Sequence, residues 1–149
     1  MKIAVVGTGY VGLVTGTCFA ETGNDVVCVD IDAQKVASMK AGNIPIYEPH
    51  LDVLFERNIK AGRLAFTTSL SEAVADATLI FLALPTPPGE DGSADLSYVL
   101  GVAGELGKMI KDYKVIIDKI VQIENIGRNS IHIIDRRLCA FPKGMARFT

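Results

Sequence analysis

Four residues near the amino terminus are of the types, and at the spacing, needed to hold a diphosphate. Gly7, Gly9 and Gly12 stand in Val6-Gly7-Thr8-Gly9-Tyr10-Val11-Gly12, a G-x-G-x-x-G pattern. Such a stretch serves close approach, because an anion has to reach backbone N–H groups with no side chain in the way. Gly7 permits the tight turn out of a strand, Gly9 lets the backbone meet a pyrophosphate, and Gly12 lets a helix pack close on the strand. The helix that opens there adds free N–H groups and the positive end of its dipole. A glycine-rich turn with no ligand would show the same bare pattern, and Asp30 separates the two readings. It lies eighteen residues after Gly12, at the end of the next apolar run. A carboxylate there accepts both ribose hydroxyl protons of an adenosine and repels a 2′-phosphate, so the pattern implies NAD rather than NADP. No Gly-Lys-Ser/Thr follows, which excludes a P-loop.

Other residues carry weaker signals. Lys35 either reaches the adenosine ribose or is solvated on a helix surface, and the sequence leaves both open. Thr86, in Leu84-Pro85-Thr86-Pro87-Pro88, follows an apolar run and so falls where open α/β sheets bind ligands; its alternative is a simple turn hydroxyl. His50 and His132 are isolated from any cysteine or carboxylate pattern, so surface or core roles are expected of them. Cys18, Cys28 and Cys139 have no short spacing, which gives no zinc site and no disulfide framework. Reduced core thiols in a cytoplasmic protein are expected, with no metal.

The elements that must position these residues alternate along the chain. Apolar runs at Ile3–Val6, Val26–Asp30, Leu64–Thr67, Leu79–Leu84 and Lys114–Asp118 read as strands. Between them, Tyr10–Thr22, Ala33–Ala41, Leu51–Ala61 and Ser69–Ala75 read as helices, the last with a Ser-Leu-Ser-Glu capped opening. A Pro- and Gly-rich loop, Pro85–Ser93, precedes a helix capped by Asp95 and running to about Ile110. This alternation predicts an α/β fold of Rossmann type: a doubly wound, mainly parallel sheet in a single domain.

A chain of 149 residues with a formal net charge of −2 suits one domain and shows no basic patch that could track nucleic acid. Residues Ile3 to Ala20 carry no charge, but four glycines interrupt that run. It reads as a buried strand and packed helix, not as a targeting or membrane segment.

Beyond the glycine motif, residues 1–119 resemble the NAD-binding domain of the UDP-glucose/GDP-mannose dehydrogenase family. The matching stretches are KIAVVGTGYVGLVTGTCFAETGNDVVCVDID, the Lys35 helix, GNIPIYEPHL and LPTPPGEDGSADLSYV. The resemblance implies NAD as cofactor, with Tyr10, Val11, Asp30, Lys35 and Thr86 in contact with it. It implies oxidation of the C6 alcohol of a nucleotide sugar to a carboxylate, with two NAD reduced in succession, and homodimers among family members. UDP-glucose is the first choice of substrate, with UDP-N-acetylmannosamine or GDP-mannose as alternatives. His50 replaces the glycine that normally follows Glu48-Pro49 in the family.

The larger departure begins after Asp118-Lys119. The family continues with Ser-Thr-Val-Pro-Val-Gly, whereas this chain reads Ile120-Val121-Gln122-Ile123. The family's catalytic lysine, asparagine and nucleophilic cysteine have no counterpart, so no catalytic residue is assigned. Residues 1–119 hold 10 Lys and Arg against 15 Asp and Glu, while residues 120–149 hold 5 against 2. Residues 120–149 are therefore expected to be a divergent tail not native to the fold, of the kind a shifted reading frame leaves. Reading the coding DNA in the other two frames tests this. A genuine short variant with its own C-terminal element is the rival, and a non-enzymatic NAD-binding module is a third reading of the whole chain.

Overall fold

The computed structural model describes residues 1–88, 94–121 and 133–136. Six strands form one sheet: β1 (Lys2–Val6), β2 (Asp25–Val29), β3 (Leu64–Thr67), β4 (Leu79–Leu82), β5 (Val115–Val121) and β6 (Ile133–Arg136). Their order is β3-β2-β1-β4-β5-β6, parallel throughout except for the antiparallel β5–β6 pair. The chain winds outward from β1 to β3, then returns to the other side of β1 with β4. Adjacent strands whose connections leave in opposite directions open a crevice at their carboxyl ends, and here those strands are β1 and β4.

The strands are near-continuous apolar runs because both faces of a parallel sheet are covered by helices. Helices α1 (Tyr10–Glu21), α2 (Ala33–Lys40), α3 (Leu51–Lys60), α4 (Leu70–Ala75) and α5 (Ser97–Met109) supply that cover. Side chains alternate across a strand, so β1 feeds two cores. Ile3 and Val5 join Leu13, Ala20, Val36, Met39 and Phe55 from α1, α2 and α3. Ala4 and Val6 join Ala73, Val74 and Leu106 from α4 and α5.

The expected elements form with local differences. Strand β4 stops two residues early, which leaves Ala83 and Leu84 as loop at the crevice. Helix α5 begins after Leu96, and Asp95 stands one residue further out. It still serves the first turn, since its Oδ1 accepts the Ser97 N–H at 2.9 Å. Ser69 caps α4 by accepting the Glu72 N–H at 3.2 Å, as its sequence pattern implies. Cys28 is buried, but Cys18 is exposed and so is not a core thiol. Of the loop expected at Pro85–Ser93, positions 89–93 lie outside the described residues, as do Cys139 and His132.

Strand β5 runs through residues 119 and 120 without interruption, pairing Lys119 with Asp135 and Val121 with Ile133 on β6. Residues 122–132 and 137–149 of the expected tail lie outside the described residues.

Candidate functional site

The crevice is built by hydrogen bonds that tie four strand ends together. The Gly7 N–H donates to the Val29 carbonyl at 2.8 Å, the Ala83 N–H to Val6 at 2.8 Å, and the Asp30 N–H to Thr67 at 3.2 Å. Gly7 adopts φ +95°, and a Cβ there would sit 2.5 Å from the Ala83 carbonyl oxygen. A side chain would be both conformationally strained and sterically blocked at this turn. A Cβ at Gly12 would come within 1.9 Å of the Gly7 carbonyl oxygen, so α1 lies directly on the turn. Gly9 is different, with no atom within 4 Å of its Cβ position. The second glycine therefore faces open space, where a ligand can approach.

Gly9 is also the N-cap of α1, and no side chain caps that helix. Its first-turn N–H groups, which α-helical bonding leaves without partners, are available to an anion. Tyr10 and Val11 line the cavity beside them. The cavity has a volume of about 650 Å³, within the range of small-molecule sites.

Asp30 stands at the other side of the turn as a highly partnered carboxylate. Its Oδ2 accepts the Thr8 N–H at 3.2 Å, the Thr8 hydroxyl, and the Lys35 ammonium at 2.9 Å. Its Oδ1 accepts only the Asp32 N–H, at 3.1 Å. Burial alone would push this carboxyl upward. The hydrogen bonds from Thr8, Lys35 and Asp32, with the charge of Lys35, outweigh burial and hold it below the usual carboxylate value. Lys35 is placed by α2, whose N-cap Asp32 accepts the Gln34 and Lys35 N–H groups at 2.9 and 3.1 Å. Its ammonium pairs with Asp30 and does not extend along a solvated helix face.

The structure thus brings Gly7, Gly9, Tyr10, Val11, Asp30, Lys35 and Thr86 to one cavity. Gly12 lies beneath it, acting through packing. Three further features were not singled out by sequence. Thr8 stands at a variable position of the glycine motif, where its hydroxyl is the available signal. Ile31 follows Asp30 at the cavity mouth and is 92% exposed, an apolar side chain held in solvent. Tyr98 and Lys119, from α5 and β5, line the opposite wall, and only the folded sheet order brings them there.

Elsewhere, Asp118 on β5 is buried, and neither carboxylate oxygen has a hydrogen-bond partner among the described residues. Burial pushes its carboxyl up. Burial also raises the Cys28 thiol to about 12, which leaves it protonated and unreactive. His50 lies at the N-cap of α3 with φ 67°, the left-handed conformation that suits a glycine. Among the described residues no group of three or more His, Cys, Asp or Glu could hold a metal ion. No helix among them is long and apolar enough to cross a membrane.

Comparison with known proteins decides the family. The NAD-binding domain of the UDP-glucose/GDP-mannose dehydrogenase family matches residues 1–136. The chain belongs to that family. A UDP-glucose 6-dehydrogenase of Pseudomonas aeruginosa is 50% identical over 119 residues, covering 80% of this chain and 26% of the relative. UDP-glucose 6-dehydrogenase TuaD of Bacillus subtilis is 47% identical over 146 residues, 89% of this chain and 32% of the relative. Among solved structures, a ternary complex of GDP-mannose dehydrogenase from Pseudomonas aeruginosa aligns with a TM-score of 0.75 at 32% identity. That alignment covers 81% of this chain and 29% of the other.

The chain therefore spans about a quarter to a third of the relatives it matches. What it carries is the NAD-binding domain of the UDP-glucose/GDP-mannose dehydrogenase family, whose cofactor is NAD. The site's own chemistry fits that cofactor: uncapped helix N–H groups for the diphosphate and an ionised acceptor for the ribose. The family match extends beyond residue 119 and ends with strand β6 at residue 136.

Proposed function

We propose that the cavity at the β1–β4 crevice holds NAD, and that the chain is the cofactor-binding part of a UDP-glucose 6-dehydrogenase. The observation that carries the NAD reading is Asp30, held ionised beside an uncapped glycine turn at the cavity mouth. In this reading the N–H groups of Gly9, Tyr10 and Val11 meet the diphosphate. Asp30 accepts from the adenosine ribose and disfavours a 2′-phosphate. Ile31 offers an apolar ledge to the adenine, and Thr86 a hydroxyl at the β4 end. Bound NAD would supply the hydride acceptor for oxidation of an alcohol.

UDP-glucose is favoured as the substrate of the whole enzyme because the relatives named for it are 50% and 47% identical. A GDP-mannose 6-dehydrogenase of Pseudomonas aeruginosa, compared in the same way, is 36% identical over 112 residues. Oxidation through a thiohemiacetal needs a cysteine nucleophile. Among the described residues, neither Cys18 nor Cys28 lines the cavity. With the chain spanning 26% and 32% of these relatives, we expect these 149 residues to bind NAD without turning over a nucleotide sugar, in a cytoplasmic setting. Homodimerisation, as the family resemblance implies, belongs to the same proposal.

Isothermal titration of the chain with NAD and with NADP tests the reading. Saturable NAD binding, with NADP at least about tenfold weaker as one like-charge repulsion requires, supports it. A folded chain that binds neither cofactor would exclude it. Assay of the full-length gene product with UDP-glucose, UDP-N-acetylmannosamine and GDP-mannose decides the substrate.

A further inference from the structure

Thr8 is completely buried, yet it spends both of its polar hydrogens on one atom. Its N–H and its hydroxyl donate to Asp30 Oδ2, which also accepts from Lys35. A carboxylate oxygen has about two lone-pair directions, so three donors saturate Oδ2. Oδ1 accepts from the Asp32 N–H alone and keeps acceptor capacity. The two donors of Thr8 are rigid, being fixed by the turn that Gly7 and Gly12 shape. Lys35 approaches on a flexible four-carbon stem and cannot fix a rotamer in the same way.

We propose that Thr8 is a positioning residue of the cofactor site: it ties Asp30 Oδ2 to the glycine turn and so presents Oδ1 to the adenosine ribose. This couples the diphosphate subsite to the ribose subsite through one side chain. It sets both the affinity for NAD and the discrimination against NADP, because a carboxylate free to rotate no longer confronts the 2′ position. The inference rests on the NAD reading of the cavity.

The test is titration of the 149-residue chain and its variants with NAD and NADP. Thr8→Val keeps the shape and removes the hydroxyl. It should weaken NAD about tenfold, the size of one hydrogen bond to a charged group, and narrow the NAD-to-NADP ratio. Thr8→Ser restores the hydroxyl and should bind NAD within about twofold of the parent. Because Thr8 acts through Asp30, Thr8→Val should cost almost nothing further in an Asp30→Asn background. Thr8→Ala repeats the measurement with no bulk to accommodate, should the valine disturb the turn, and circular dichroism verifies that each variant is folded. Parent-like binding by Thr8→Val or Thr8→Ala, no rescue by serine, or an undiminished loss in the Asp30→Asn background would each overturn the proposal. If the parent binds NAD and the Thr8 variants match it, only the positioning role falls. If the folded parent binds no NAD, the reading of the cavity falls with it.

Discussion

Asp30 and Asp118 look alike in sequence, each closing an apolar run, in Val-Cys-Val-Asp and Val-Ile-Ile-Asp. The fold treats them in opposite ways. Asp30 receives four hydrogen bonds from three residues, and its carboxyl is held down against the effect of burial. Asp118 is 1% exposed, has no hydrogen-bond partner among the described residues, and its carboxyl is pushed up. What separates a ligand-ready carboxylate from a buried cost is the supply of donors around it. At Asp30 that supply comes from the glycine turn and the first turn of α2. Strand β5 offers nothing equivalent, because its own N–H groups are spent on the sheet.

The largest effect expected concerns the turn that supplies those donors. Gly12→Ala places a methyl group 1.9 Å from the Gly7 carbonyl oxygen, a backbone atom that cannot step aside cheaply. A loss of about 3 kcal/mol in denaturant unfolding is expected, at the upper end of overpacking costs. Gly9→Ala meets nothing within 4 Å and should leave the unfolding midpoint almost unchanged while weakening NAD binding. Equal stability losses in the two variants would break the distinction between the packed and the open side of the turn.

Next in size is Asp118→Asn, which removes a buried charge with no partner among the described residues and should raise stability by about 2 kcal/mol at pH 7. A loss instead would mean that Asp118 is paired; Arg136 occupies the register position opposite it on β6. The two carboxylates also carry opposite pH signatures. The folded value of Asp30 is depressed, so its stabilisation is present above the ordinary value of 3.8 and drains as pH falls through the folded value. The folded value of Asp118 is raised, so its penalty is absent below 3.8 and develops as pH rises toward the folded value. The gain from Asp118→Asn should therefore grow with rising pH above about 4, measured as the difference between two stability curves. A gain independent of pH would contradict the assignment.

The smallest effect belongs to His50, outside both regions. Its left-handed φ of 67° costs about 1–2 kcal/mol, and glycine would relieve that while adding about 0.4–1 kcal/mol of unfolded-state entropy. His50→Gly should stabilise the chain by about 0.5 kcal/mol in the same unfolding assay. A destabilisation would show that the imidazole contributes a contact that outweighs the strain.

These cases show where the sequence was legible. The order of strands and helices could be read because apolar runs and capping residues are local signals. The meeting of Gly7, Gly9, Gly12 and Asp30 at one turn could be read because it depends on backbone shape and spacing. Thr8 was missed because its role is a contact across 22 positions with a residue on another strand. The Lys35 ammonium pairs with Asp30, a contact that the choice between ribose and solvent did not include. Cys18 was misjudged because helix α1 is apolar on most of its surface, which hides the direction of its exposed face. The replacement of glycine by His50 is visible in sequence, and only the backbone angle gives it a cost. The isolation of Asp118 follows from what surrounds β5 in space, which no local pattern records.

The proposed function assigns Asp30, and not Asp118, to the cofactor, although both close apolar runs in sequence. Titrating NAD into the parent chain, Asp30→Ala and Asp118→Asn tests it most directly. The account predicts that Asp30→Ala weakens NAD by about 30-fold or more, while Asp118→Asn binds as the parent does. Parent-like affinity in Asp30→Ala, or an equal loss in both variants, would contradict it.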